Sequence, residues 1–208
     1  MNRTDFEIEI CANSVESCIE AQKGGANRVE LCMGIPEGGT TPSYGEIKMA
    51  REVLKETRLH VIIRNRGGDF LYTKQELQRM AMDIDLCRDL GVDGVVFGCL
   101  TAEGDIDLAA NEYLMSHAKG MSVTFHRAFD RCCEPEKALE QLIALGFERV
   151  LTSGQQPTAE KGISLLQRLN QLANGRIKIM AGCGVNEKNI ARIRQETAVP
   201  AFHFSARE

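Results

Sequence analysis

From residue 6 to 11 the chain reads FEIEIC, glutamate alternating with isoleucine, and a period of two is the mark of a strand with one apolar and one polar face. Short β-branched or aromatic runs recur at 28–31, 59–64, 94–98, 122–126, 149–152, 177–180 and 201–205, so eight strands are expected. Helix-start chemistry lies between them. Asn13 with Glu16, Ser43 with Glu46 and Thr73 with Glu76 each place a capping residue three positions before an acid. Pro135 suits a first helical turn, and further helices are expected from about 107, 158 and 186. The first helix runs to about Lys23, where Gly24-Gly25 stops it, and the second to about Glu56.

Three helix exits, GGANRVEL, LGVDGVVF and LGFERVLT, place glycine at the helix end, then a polar residue, then an apolar run, which makes a weak repeat of a βα unit. Strict alternation of strand and helix demands a parallel sheet with right-handed crossovers. Eight such units close into a (β/α)8 TIM barrel, expected here as a single domain over 1–208 with no helix after the eighth strand. Periodicity cannot show closure, and an open doubly wound sheet is the alternative; against it, no GxGxxG opens the first βα turn.

Alternation also sorts the polar residues. Glu9 shares a face with Cys11, and Glu30 with Arg28 and Cys32, while Ile8, Ile10, Val29 and Leu31 form the opposite, apolar faces. Arg64, His126 and His203 likewise sit opposite apolar neighbours. In a barrel one of these faces looks into the lumen, so Glu9, Glu30, Arg64, His126 and His203 are expected to form an internal charged network, with Arg64 as the countercharge. The stretch VIIRNRGGDFLY, where a strand runs into two arginines, a Gly-Gly hinge and an aspartate, is one of several strand ends expected to converge on a pocket.

Charge narrows the partners. The 208 residues carry a net charge of -4, and their basic residues are scattered, which gives no footprint for nucleic acid or an anionic membrane. No signal-peptide core and no membrane-length apolar run is visible, so a cytoplasmic protein is expected. Eight cysteines without a CxxC pair, in a chain large enough to need no staples, point to thiols rather than a disulfide framework.

The motifs EICANSVES, RVELCMGIPEGGTTPS, IIRNRGGDFLY, DGVVFGCLTAEGDID, VTFHRAFD, LGFERVLTSG and AGCGVNEKNI, in this order, resemble the CutC family, named for a proposed role in copper homeostasis. The resemblance covers nearly the whole chain. It implies a cytoplasmic TIM barrel that binds copper and assembles as a homo-oligomer, a dimer or higher. Asn65, Cys99 and Cys183 depart from the family pattern, which has proline, a small residue and glycine there; Cys11 and Cys32 match it.

Two chemistries follow. Cu(I) prefers soft thiolates, and Cys11 and Cys32 end neighbouring predicted strands; Cys99 and Cys183 are further candidates, whereas Cys132-Cys133 fits a loop without metal. Against this stands the plain reading of a barrel cysteine as a small buried hydrophobe. Alternatively the barrel is an enzyme acting on a small anionic or phosphorylated metabolite. His126, Glu9 and Glu30 would then be its acid-base groups, and Arg64, Arg66, Asp69, Arg127, Ser153, Gly182, Gly184, Ser205 and Arg207 its substrate-binding set. The plain counterpart is a structural charge network and glycines that merely end strands. The eighth strand would further expose Phe202 and Phe204 unless a helix or a second subunit covers them.

Overall fold

The computed structural model describes residues 6–205. Eight strands, β1 (Glu7–Ala12), β2 (Arg28–Leu31), β3 (Arg58–Ile62), β4 (Gly94–Phe97), β5 (Ser122–Phe125), β6 (Arg149–Thr152), β7 (Lys178–Gly182) and β8 (Ala201–Phe204), pair in sequence order. All pairs are parallel, and β8 returns to β1 with Glu9 beside His203, so the sheet is a closed barrel and the open alternative is excluded. Seven helices lie between successive strands: α1 (Val15–Lys23), α2 (Tyr44–Val53), α3 (Lys74–Asp89), α4 (Leu108–His117), α5 (Pro135–Leu145), α6 (Ile163–Ala173) and α7 (Ile190–Thr197).

The outward positions Val29, Leu31, Leu59, Val61, Val95, Phe97, Phe125, Val150, Ile179 and Phe202 are fully buried beneath the helices in one apolar layer. That leaves the inward positions for polar groups, with Leu151, Met180 and Ala201 as a small separate apolar cluster inside. Gly94 makes room there: a Cβ would stand 2.5 Å from the His60 ring and 2.7 Å from the Ser122 carbonyl.

Several helix starts shift from expectation. Ser14, not Asn13, caps α1, its hydroxyl accepting from the Ser17 N–H at 3.1 Å. Only Thr73 and Glu76 complete a reciprocal capping box; at Ser43 just the forward bond forms. α6 and α7 begin later than expected, at Ile163 and Ile190; before α7 loop side chains take the backbone first, Asn189 accepting from Asn186 N–H at 2.9 Å and Asn186 from Lys188 N–H at 2.9 Å. Nor is Phe202 bare. It is fully buried, edge-on to Phe6 with centroids 5.6 Å apart, and Arg194 of α7 lies 4.8 Å over the Phe6 ring. The chain covers this aromatic itself, so the face supplies no argument for a second subunit; Phe204 is half-buried at the strand end.

Candidate active site

The lumen holds a column of charge. At its foot Glu7 receives Arg28 at 3.1 Å, Arg149 at 3.5 Å and Lys178; burial opposes its charge, but Lys178 and Arg28 outweigh that and hold its carboxyl at about 2. One level up, Glu9 is fully buried between Arg28, paired to one carboxylate oxygen, and His203, whose Nδ1 is 2.7 Å from the other. Burial works against that carboxylate too, yet the Arg28 guanidinium and His203 keep its pKa far below the usual range. His60 beside them stays neutral: burial, joined by Arg28 and Arg149 against the pull of Glu9, brings it down to about 3.

This corrects the expected countercharge. Arg28 neutralises Glu9, whereas Arg64 makes its bonds to backbone carbonyls of Glu37, Gly39 and Gly68. Sequence reasoning noted Arg28 only as a neighbour of Glu30 and missed His60 and Arg149, although alternation places His60 on the inward face of β3.

Above the column the barrel opens into a cleft of about 1040 Å³ at the C-terminal ends of the strands. Its floor brings together four expected residues. Cys11 and Cys32 place their sulfurs 3.2 Å apart, wider than the ~2.05 Å of a disulfide, and Glu30 lies with a carboxylate oxygen within 4.8 Å of both. His203 Nε2 is 3.7 Å from Glu30. Burial lifts Glu30 to about 8, against the pull of His203 and with Glu9 and Cys11 adding to the rise. Burial also disfavours the charged form of His203, but its bonds to Cys11 and Glu9 and the field of Glu30 raise it well above the ordinary value. The floor thus favours the cationic form of His203 and the ionised form of Glu9, and it disfavours the charge of Glu30.

Arg64 and His126 line the cleft wall, and both pack against Phe70. His126 is buried; desolvation, with Arg64 adding, lowers it to about 3, so it is a neutral ring. Its Nδ1 accepts the Ala128 N–H at 3.3 Å, which leaves the proton on Nε2. Arg127, Gly184 and Ser205 also line the cleft, while Gly182 does not.

Other expected members are engaged elsewhere. Arg66 ties Glu76 at 2.6 Å and Asp69 at 3.0 Å, and neither Arg66 nor Asp69 borders the cleft. Ser153, expected in the substrate-binding set, is instead engaged by the Asp130 carboxylate, which accepts the N–H groups of Ser153 at 3.0 Å and Gln155 at 3.2 Å and the Thr152 hydroxyl at 2.5 Å. Cys99 is buried under Asn111, away from the cleft, whereas Cys183 lines it and adopts φ 75, a conformation that suits the glycine expected there. Arg207 lies outside the described residues.

A closed parallel barrel with a polar cleft at its strand C-termini defines a TIM-barrel protein of the kind that builds its site from strand-end loops. Within that class residues 6–208 match the CutC family model, and the chain belongs to the CutC family. It is 67% identical over 203 residues to the family protein CutC of Bacteroides thetaiotaomicron, covering 98% of this chain and 82% of that one. The crystal structure of a candidate copper homeostasis protein CutC from Streptococcus agalactiae superposes with TM-score 0.92 at 39% identity, over 97% of this chain and 99% of that one. An aldolase, QR15, superposes with TM-score 0.72 at 16% identity over 98% and 90% of the two chains, a likeness of fold alone.

Proposed function

We propose that the protein serves copper homeostasis by binding Cu(I) at Cys11 and Cys32 on the cleft floor. The observation that carries this reading is the 3.2 Å approach of two sulfurs from neighbouring strands at the end of an open cleft. The donor set suits the ion: two soft sulfurs select Cu(I), and the Glu30 carboxyl stands within reach as a third, harder group. His203, held by Glu9, fixes the surroundings of Cys11. An anaerobic Cu(I) competition titration of wild type beside the Cys11→Ala, Cys32→Ala double variant tests it. Loss of one tightly bound Cu(I) in the variant is expected; equal stoichiometry and affinity would remove these cysteines from the site. Family membership supports action in the cytoplasm and as a homo-oligomer of at least two copies, which sedimentation over a concentration range checks.

A second reading has its own observation, the Glu30 carboxyl, the His126 ring and Arg64 lining one cleft, where burial raises Glu30 and lowers His126. That set suits an enzyme using acid-base chemistry on a small anionic or phosphorylated metabolite, with Glu30 giving the proton, Glu9 and His203 tuning it, and Arg64 and Arg127 facing the anion. Incubation with a cell-derived metabolite mixture, followed by mass spectrometry, should show a conversion that Glu30→Gln abolishes; no change beyond a heat-treated control excludes turnover of that mixture.

A further inference from the structure

Among the described residues three arginines are buried in this barrel, Arg28, Arg64 and Arg149. Two of them have carboxylate partners: Arg28 meets Glu9 and Glu7, and Arg149 meets Glu7 and Glu148, both at 3.5 Å. Among the described residues Arg64 has none. Its Nη1 donates to the carbonyls of Glu37 at 2.8 Å and Gly39 at 3.0 Å, and its Nη2 to that of Gly68 at 2.9 Å. The loop closes tightly around it: Gly38 adopts φ 86, and a Cβ there would lie 3.3 Å from Nη1. Carbonyl dipoles orient a guanidinium, but they do not cancel its charge, and a buried charge without a counter-ion is costly. Its Nε has no acceptor within hydrogen-bond distance, and the buried Tyr72 hydroxyl beside the guanidinium leaves its charge without a counter-ion.

His126 has a matching unused donor. Its ring is 4% exposed, its Nδ1 is committed to the Ala128 N–H, and its Nε2 has no protein partner. Both side chains pack on one ring, with the Arg64 guanidinium and the His126 centroid each 4.9 Å from the Phe70 centroid, and both line the cleft. One uncompensated positive charge thus stands with two N–H groups that lack acceptors.

We infer that Arg64 and His126 form the receptor for one carboxylate of a small organic acid, each N–H serving one carboxylate oxygen. A monoanion with two acceptor oxygens matches a single charge and two donors; a phosphate dianion would carry excess charge and oxygens without donors. Phe70 and Ile62, which border the same cleft, supply an apolar wall for the body of the acid. The site uses neither Cys11 nor Cys32, so it stands apart from the copper reading. It narrows the enzymatic reading from an anion to a carboxylate, and it requires binding without requiring turnover.

The test is a titration of the full chain with sodium acetate, pyruvate and benzoate, with phosphate and chloride at equal ionic strength as comparators. Nitrogen-15 NMR of the His126 side chain and the melting temperature are both read. At least one monocarboxylate should move the His126 Nε2 signal saturably and raise the melting temperature more than chloride does. Arg64→Gln and His126→Phe should each weaken that binding by at least about tenfold, while His126→Gln, which keeps a donor, should retain most of it. Should Arg64→Gln fail to fold, the wild-type NMR titration and the two His126 variants decide. The inference is overturned if no monocarboxylate saturates, if phosphate binds there more tightly, or if folded Arg64→Gln or His126→Phe binds as wild type does.

Discussion

His203 of the last strand and Glu9 of the first meet at 2.7 Å inside the barrel, directly across the seam where the sheet closes. The same carboxylate is paired with Arg28, so one fully buried acid joins three strands. Replacing it by glutamine keeps the shape and removes the charge that Arg28 and His203 face. Glu9→Gln is expected to cost about 3–5 kcal/mol, as when one partner of a buried pair is lost, and more than Glu7→Gln, whose site is partly open to solvent. Urea unfolding at pH 7 measures both, and a smaller loss for Glu9→Gln than for Glu7→Gln would contradict the assignment.

Glu30 gives stability a distinctive pH dependence. Its folded pKa of about 8 lies above the ordinary 4.5, so between those values the folded chain holds a proton that the unfolded chain has released. Stability from this group is therefore full below about pH 4.5 and declines as pH rises towards 8. His60 and His126, lowered to about 3, act oppositely between 3 and 6.5, which is why a single curve would hide the effect. The difference between wild type and Glu30→Gln isolates it: that difference should fall from pH 4.5 to 8, and a flat difference would place Glu30 near its ordinary value.

Gly94 and His60 should show strong coupling. Gly94→Ala drives a methyl into the His60 ring and the Ser122 carbonyl, with an expected cost of about 1–3 kcal/mol. In a His60→Ala background the ring contact is gone and only the backbone contact remains, so the penalty should shrink. A double-mutant cycle by thermal unfolding reads the coupling, and additive effects would show that the ring is not what the glycine accommodates.

Glu76 does two jobs with two oxygens: one accepts the Thr73 N–H at 2.7 Å and completes the cap of α3, and the other accepts from Arg66 at 2.6 Å. The Thr73 backbone bond, then Arg66, hold it at about 2, so its contribution is present above pH 4.5 and is lost as pH falls towards 2. Glu76→Ala should cost about 1–2 kcal/mol, and it should also speed proteolytic cleavage near Gly67-Gly68. Unchanged cleavage would separate the cap from the loop.

What the chain disclosed about itself followed the reach of its local rules. Alternation of Ile8 and Ile10 with Glu7 and Glu9 announced a two-faced strand, and eight such runs announced the barrel. Closure depends on Glu7 meeting Ala201, a pairing no local pattern encodes. The floor residues Cys11, Glu30 and His203 were legible because each lies within a strand whose alternation fixes its direction, and Cys32 because it follows β2 directly, its N–H still bonded to the Ala12 carbonyl of β1 at 2.9 Å. Arg64 was misassigned because it lies beyond β3, which ends at Ile62, so alternation no longer governs where its side chain turns. Ser153 was placed in the substrate-binding set because Asp130, which occupies its N–H, approaches from the turn at Arg127–Arg131, 23 positions earlier, where no local pattern reveals it.

The seam at Glu9 and His203 also has a meaning in time. The two residues are 194 positions apart, so as a ribosome extends the chain, β1 and β2 emerge with Cys11 and Cys32 long before β8 exists to complete the wall beside them. Until the final strand docks, Glu9 lacks its histidine and the sulfurs face an unfinished groove. Closing so distant a contact carries the largest loop entropy of the assembly, which places maturation of the cleft floor among the last events of folding. A nascent chain arrested before Ala201 would therefore display both thiols without His203, whose ring a mature molecule sets between Glu9 and Glu30.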